Sequence, residues 1–362
     1  MTLASDAGSI ENDQMPKLIS PSRIFNERQT GSPILASCHS ATPLAENVAR
    51  RLFTNQEKIT HLSAIDFSFS DSETCIRLPS DVSNSSVYLF QSLYDPGSRA
   101  SIDKNYFAFL LAIRALKEWG ASSVTGVIPY LVYARQDHAT PGQLEPISAR
   151  LLADMSATAG LDRLITFKPH SEAAENFYRD NQIALDQIDC VNFFASVFSP
   201  FSGKSNTILI APDAGSAQFV SAVGQTLDLR TALVKKSRPR AEECVIQEII
   251  GDFSGITDAI ILDDMVSSGG TVYNLIKQIK TEQQIDNIYL GVAHNLCFDL
   301  ALERLIEMNS RFGLKKMVTT NSIPQTSNFT SLPFMEIVDI SDLFARQISF
   351  NIAETINPKD FE

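Results

Sequence analysis

Segments of strand length and segments of helical spacing alternate along almost the whole chain, and few architectures tolerate that order. Short runs rich in β-branched and aliphatic residues stand at Ile34–Ala36, Val87–Gln91, Val124–Tyr133, Leu164–Phe167, Thr207–Ala211, Arg230–Val234, Asp258–Leu262 and Asn287–Ala293. Between them lie helix-like stretches: Leu44–Phe53, Tyr106–Trp119, Ser148–Ala159, Ser171–Tyr178, Ala217–Leu227, Val272–Lys280 and Asp299–Glu307. A buried strand followed by an amphipathic helix is the repeating unit of parallel α/β sheets. The expected fold class is therefore α/β, with mostly parallel sheets flanked by helices.

The chain has 362 residues, room for about two domains. Polar residues thicken from Arg179 to Asp189, and Ser, Gly and Asn cluster at Ser202–Asn206. A boundary near residue 188 is expected. Four segments result: a polar tail over 1–32, a first domain over 33–188, a second over 189–335 and a closing segment over 336–362.

The tail carries Asp6, Glu11 and Asp13 and lacks the basic start and apolar core of a signal peptide. No apolar run approaches the roughly 18 residues of a membrane span. The five cysteines are scattered singly with no Cys-x-x-Cys pair. That pattern fits buried thiols in a reducing cytoplasm better than a disulfide framework or a zinc site. The net charge of −12 argues against nucleic acid as partner. It leaves room for an anionic substrate, which needs only a few local cations.

Four of the strand-like runs end in chemistry. Val124–Tyr133 leads into Ala134-Arg135-Gln136-Asp137, and Leu164–Phe167 into Lys168-Pro169-His170. Thr207–Ala211 leads into Pro212-Asp213-Ala214-Gly215-Ser216. Asp258–Leu262 leads into Asp263-Asp264-Met265-Val266-Ser267-Ser268-Gly269-Gly270-Thr271. Ligands of open α/β sheets bind beyond the carboxyl ends of the strands, so the coincidence outweighs any one motif. The last segment reads as strand, tight loop and helix N-terminus. Such a terminus binds phosphate through free backbone N–H groups. Two carboxylates beside a phosphate make sense if they face hydroxyls or a metal ion. The implied ligand carries both phosphate and sugar.

Weaker signals each have a plain structural reading beside the functional one. Gly203-Lys204-Ser205 is not a P-loop, because Phe198 stands where the first glycine belongs. No G-x-G-x-x-G is present. His170 follows a strand, which favours a metal or phosphate ligand over a core histidine. Asp213-Ala214-Gly215-Ser216 reads either as a helix cap or as a second ligand loop. Lys235-Lys236-Ser237-Arg238-Pro239-Arg240 gathers cations in an acidic protein and reads as a mobile basic flap over a polyphosphate. Phe69-Ser70-Asp71-Ser72-Glu73 alone is no more than a turn.

Taken together, these segments resemble the ribose-phosphate pyrophosphokinase family from about Ile34 to Ile348. Further carriers are Ala41-Thr42-Pro43-Leu44-Ala45, Ile128-Pro129-Tyr130 and Glu145-Pro146-Ile147-Ser148-Ala149. The resemblance implies two phosphoribosyltransferase-type domains related by pseudo-symmetry, with segment 336–362 packing back on the first. It implies transfer of the diphosphoryl group of ATP to O1 of ribose 5-phosphate with Mg2+, in a dimer-based homo-oligomer of up to six copies. By position, Phe69, Asp71 and Glu73 would hold adenine from the adjacent subunit, and Arg135 and Gln136 would contact ATP. His170 and Asp213 would hold the metal. Lys236 and Arg238 would act with His170 in catalysis. Asp213, Asp263 and Asp264 would meet the ribose, and Ser267, Ser268, Gly269, Gly270 and Thr271 the 5-phosphate.

The chain departs from the family pattern at four places. Ser267-Ser268 replaces Asp-Thr, Lys168 replaces an Asp, Ser237 replaces an Arg, and His138–Leu144 is less basic than usual. Two alternatives follow from these departures: the same chemistry on a larger ribose phosphate such as ADP-ribose, or a catalytically silent regulatory homologue.

Overall fold

In the computed structural model the described residues are 33–52, 59–98, 100–240 and 243–356, with the side chains of 236–240, 243–247 and 355–356 excluded. The first half contains β1 (Ile34–Ser37), α1 (Thr42–Leu52), β2 (Thr60–Leu62), β3 (Asp66–Ser68), β4 (Thr74–Ile76), β5 (Ser86–Phe90) and α2 (Ile102–Glu118). It continues through β6 (Ser123–Ile128), α3 (Ser148–Ala159), β7 (Arg163–Phe167), α4 (Glu172–Asp180), β8 (Ala184–Ile188) and α5 (Cys190–Val197). Six of these strands form one sheet in the order β2-β1-β5-β6-β7-β8, and β3 with β4 forms a separate hairpin. Every pairing in the six-stranded sheet is parallel.

The second half runs through β9 (Thr207–Ala211), α6 (Ala217–Leu227), β10 (Arg230–Arg240), β11 (Glu243–Ile250), β12 (Asp258–Val266), α7 (Gly270–Gln278) and β13 (Asn287–Asn295). It ends with α8 (Asp299–Arg311), β14 (Leu314–Thr320), α9 (Ser327–Thr330), β15 (Met335–Val338) and α10 (Ser341–Ile356). Its seven strands order as β11-β10-β9-β12-β13-β14-β15, and only β10–β11 is antiparallel. The mixed α/β class read from the sequence is the one observed.

Central strands are apolar throughout because helices cover both faces of a parallel sheet. β9 is buried at all five positions. Some boundaries differ from those read in the sequence. The strand read as Val124–Tyr133 stops at Ile128, where Pro129 removes a ladder donor. Tyr133 then turns the chain at φ 59°. α2 starts earlier than its apolar pattern, because the Ser101 hydroxyl accepts from the Lys104 amide and caps it. The strand read as ending at Val234 continues to Arg240, because Glu243–Ile250 pairs with it as an antiparallel partner.

A shared apolar cluster sits between the sheets. It takes Leu35, Phe167 and Ile188 from the first half and Leu209, Phe219, Leu262 and Ala293 from the second. Gly291 lets this packing close, since a Cβ there would lie 2.7 Å from Leu262 Cδ2 and 2.8 Å from Phe198. The two sheets are thereby packed against each other. No helix among the described residues is long and apolar enough to cross a membrane.

α10 lies on α1 and reaches β8, where Asn351 donates to Asp186 at 2.7 Å and Arg163 pairs with Glu354 at 3.3 Å. Asp339 anchors the entry to this helix. It pairs with Arg51 at 2.7 Å and accepts from Asn321 at 2.8 Å and from the Ser341 amide at 2.9 Å. Burial raises the Asp339 carboxyl, but Ser341, Asn321 and Arg51 together outweigh it and hold the group below its ordinary value. A carboxyl depressed in the folded state adds stability above its unfolded pKa, and that stability is lost as pH falls through the folded pKa. Asp339→Ala should therefore lower unfolding stability at pH 7 by about 1 kcal/mol. The ion-pair share is small because the group is partly exposed. Denaturant midpoints should converge as pH drops below the ordinary Asp range near 3.9. Equal midpoints at pH 7 would remove this anchor from the account.

Candidate functional site

β7 delivers His170 to the junction of the sheets. After Phe167 the chain turns sharply at Lys168, whose φ of 40° is unusual for a residue with a Cβ. Pro169 follows, and Ser171 caps α4 by accepting from the Ala174 amide at 3.1 Å. His170 is therefore fixed on both sides by local geometry. Its Nδ1 is hydrogen-bonded to Asp264 Oδ2, which comes from β12 of the other sheet.

β12 delivers the paired carboxylates. Asp263 is 8% exposed and Asp264 is partly buried. Burial above all, with repulsion from Asp264 and Asp213, pushes the Asp263 carboxyl well above the usual range. Asp264 is also raised by burial, but the hydrogen bond and charge of His170 reverse this and leave it below its ordinary value. Two adjacent identical side chains are thus pushed in opposite directions. β9 brings Asp213 close enough to act on Asp263. Its loop is set by Ser216, whose amide donates to Asp213 Oδ1 at 3.2 Å.

Beyond Asp264 the chain forms the loop expected for an anion. Gly269 has φ 74°, a left-handed conformation that glycine adopts without a Cβ penalty. α7 starts directly after it, and no side chain caps its N-terminus. Its first backbone N–H groups point away from the helix body, the geometry that binds phosphate. Arg304 of α8 donates to the Ser268 carbonyl at 2.6 Å and braces this loop. Sequence reasoning missed Arg304, and no motif marks it.

The remaining expected residues are placed less centrally. Gln136 follows the β6 turn and accepts from Ser148 at 2.7 Å. Arg135 beside it is exposed. Burial raises the carboxyl of the next residue, Asp137, but Ser171 lies near enough for its hydroxyl to help hold that carboxyl below the ordinary value, which sets the segment beside the His170 loop. Phe69, Asp71 and Glu73 lie on the β3–β4 hairpin and are exposed. Their contacts are within the hairpin: Phe69 with the Phe67 ring at 5.3 Å, and Asp71 with the Glu73 amide at 3.1 Å. This chain alone does not bring them to His170. Lys236 and Arg238 lie on β10, but their side chains fall outside the described residues. The Lys168 ammonium lies over the Phe219 ring, 5.2 Å from its centroid. It lines a groove between α4 and α6 with His170, Glu175, Cys190 and Gly215.

Among the described residues no three His, Cys, Asp or Glu side chains form a ready metal cage. A cation at this site would have to be completed by the ligand. The arrangement offers carboxylates for hydroxyls, an imidazole beside them and an uncapped helix for phosphate.

Three comparisons bear on this geometry. The profile of the N-terminal domain of ribose phosphate pyrophosphokinase matches residues 34–160. A ribose-phosphate pyrophosphokinase of Corynebacterium efficiens is 33% identical over 323 residues, covering 87% of this chain and 91% of its own length. One from Mycoplasma genitalium is 29% identical over 311 residues, covering 86% and 89%. The crystal structure of phosphoribosylpyrophosphate synthetase from Mycobacterium smegmatis superposes with a TM-score of 0.76 at 24% identity, over 90% of this chain and 99% of that one. The last likeness establishes the fold.

Proposed function

The chain belongs to the ribose-phosphate pyrophosphokinase family, and from that premise we infer that it moves the diphosphoryl group of ATP onto O1 of ribose 5-phosphate. The products are phosphoribosyl pyrophosphate and AMP. O1 attacks the β-phosphorus, the bond from that phosphorus to the bridging oxygen of AMP breaks, and the O1 proton passes to solvent. The observation that carries this reading is the meeting of His170 and Asp264 from separate sheets beside the uncapped N-terminus of α7.

Each group has a part in that chemistry. Ser267, Ser268, Gly269, Gly270 and Thr271 hold the 5-phosphate, with Arg304 fixing the loop from behind. Asp263, Asp264 and Asp213 face the ribose hydroxyls. Arg135 and Gln136 contact ATP. Lys236 and Arg238 neutralise charge that builds up on the transferring phosphoryl groups, as phosphoryl transfer requires. Phe69, Asp71 and Glu73 project on an exposed hairpin, so they serve the adenine site of a neighbouring copy. The protein then works as a dimer-based homo-oligomer, up to a hexamer, in the cytoplasm. The division is a polar tail (1–32), two phosphoribosyltransferase-type domains (33–188 and 189–335) and a closing segment (336–362).

The residues fit Mg2+. It prefers one or two protein ligands completed by substrate phosphates and water, and the carboxylates of Asp213, Asp263 and Asp264 beside His170 offer oxygen donors of that kind. His170 and Asp213 would hold it. When bound it would neutralise charge on the β- and γ-phosphates.

Incubation of the purified protein with ATP, ribose 5-phosphate and Mg2+ should release AMP and phosphoribosyl pyrophosphate in equal amounts. ADP as the product would replace this reading with a simple kinase. No turnover at high enzyme concentration would favour the silent homologue, and a clear preference for a larger ribose phosphate would change the substrate.

A further inference from the structure

His294 is the last but one residue of β13, opposite Met265 and so beside the Asp263–Asp264 pair of β12. It is 1% exposed, and nothing in the sequence marked it. Its ring packs against Tyr130 at 4.9 Å and Phe167 at 6.1 Å, both from the first half. Its Nδ1 lies 2.8 Å from Ser322 Oγ and its Nε2 lies 3.1 Å from the Lys168 carbonyl.

These partners fix the tautomer. A carbonyl only accepts, so Nε2 carries the proton and donates to Lys168. Nδ1 is then bare and accepts from the Ser322 hydroxyl. The Ser322 hydroxyl also lies 3.1 Å from the Ala293 carbonyl, whose two lone pairs can accept from it as well as from Thr320 at 2.7 Å. Thr320 Oγ1 in turn receives the Ser322 amide at 3.1 Å. In that neutral form one nitrogen donates and the other accepts, while the Nε2–H bond to Lys168 holds whichever way the Ser322 hydroxyl turns. Burial, the largest influence, agrees by pushing its pKa down to about 4.

The donor reaches a place that needs one. Lys168 is held at φ 40°, a conformation that residues with a Cβ rarely keep without outside support. His170 stands two residues later and meets Asp264. The Tyr94 hydroxyl makes a second clasp across the halves by donating to the Leu296 carbonyl at 2.9 Å.

We propose that His294 is a positioning residue: through its Nε2–H bond to the Lys168 carbonyl it locks the turn that aims His170 at Asp264, so that the two sheets assemble one site. The chain Thr320, Ser322, His294, Lys168 orients the imidazole from one sheet and hands that orientation to the loop of the other. The role rests on the diphosphokinase reading only where turnover is the readout.

The test compares His294→Ala, His294→Gln and Ser322→Ala in the full chain. Gln retains an N–H donor at the reach of Nε2, whereas Ala retains nothing. Hydrogen–deuterium exchange of the substrate-free protein reads the turn directly. His294→Ala should speed exchange of the peptide spanning Phe167–Glu172 at least tenfold, and His294→Gln should return it to within about threefold of wild type. Ser322→Ala should fall between them. In turnover, kcat should drop tenfold or more in His294→Ala with KM for ribose 5-phosphate within twofold, because the phosphate loop is braced separately by Arg304. Gln should restore most of the kcat. Unchanged exchange in His294→Ala overturns the proposal, as does equal loss in Ala and Gln. If His294→Ala fails to fold, the Gln and Ser322 variants carry the comparison. If wild type is inactive while exchange still follows this order, the positioning role stands and the reaction assignment falls.

Discussion

Lys236→Ala is expected to lower kcat on the order of 10³-fold while the protein stays folded. The residue lies on β10, which is secured by its parallel pairing with β9 over Arg230–Leu233. Beyond that stretch β10 pairs only with β11, at the outer edge of the seven-stranded sheet. Loss of a side chain there leaves both the ladder and the apolar cores in place. The effect falls on kcat rather than KM, since a cation that meets charge developing in the transition state does not bind the ground state equally well. Lys236→Arg should recover part of the rate, because charge is kept and geometry is altered. Lys235 is the internal control. It makes an exposed pair with Glu248 at 3.6 Å, and such pairs contribute little. Lys235→Ala should stay within about twofold of wild type. Steady-state AMP release beside a thermal melt reads both. A Lys236→Ala enzyme turning over at near-wild-type rate would remove the flap from the mechanism.

The readable parts of this protein are those with local causes. Strands β6, β9, β12 and β13 announced themselves because burial on both faces demands an unbroken apolar run. The loops after β9 and β12 were legible because each puts Asp, Gly, Ser and a helix start within a few residues of a strand end, the pattern expected of an anion-binding loop. Edge elements were not. β8 reads Ala184-Leu185-Asp186-Gln187-Ile188, too polar to stand out, and the pairing of Arg163 with Asp186 at 2.9 and 3.0 Å helps hold it in the sheet. β11 follows a basic run, and its apolar residues find meaning only against β10. Arg304 and His294 were invisible for the same reason. Their partners, Ser268 and Lys168, are 36 and 126 residues away. No window on the chain contains both ends of either bond.

Asp264→Asn should lower kcat/KM roughly 10²–10³-fold, and the loss should not add to that of His170→Ala. Asn keeps the size of the carboxylate and an oxygen that accepts a hydrogen bond, so the packing of β12 is preserved. What disappears is the negative charge, which the bond and charge of His170 maintain against burial. Without it the imidazole loses the partner that orients its ring and fixes which nitrogen faces the ligand, the kind of change that costs far more than a single neutral hydrogen bond. Asp263 is the contrast. Burial and its two acidic neighbours push its carboxyl well above the usual range, so Asp263→Asn removes a charge that the free protein disfavours. Before ligand binds, it should perturb the fold less than Asp264→Asn. The decisive measurement is the double-mutant cycle on kcat/KM. If His170 and Asp264 act as a unit, removing both costs little more than removing the worse one. If the two losses multiply, the contact between them is incidental, and the joining of the two sheets at this point carries no catalytic weight.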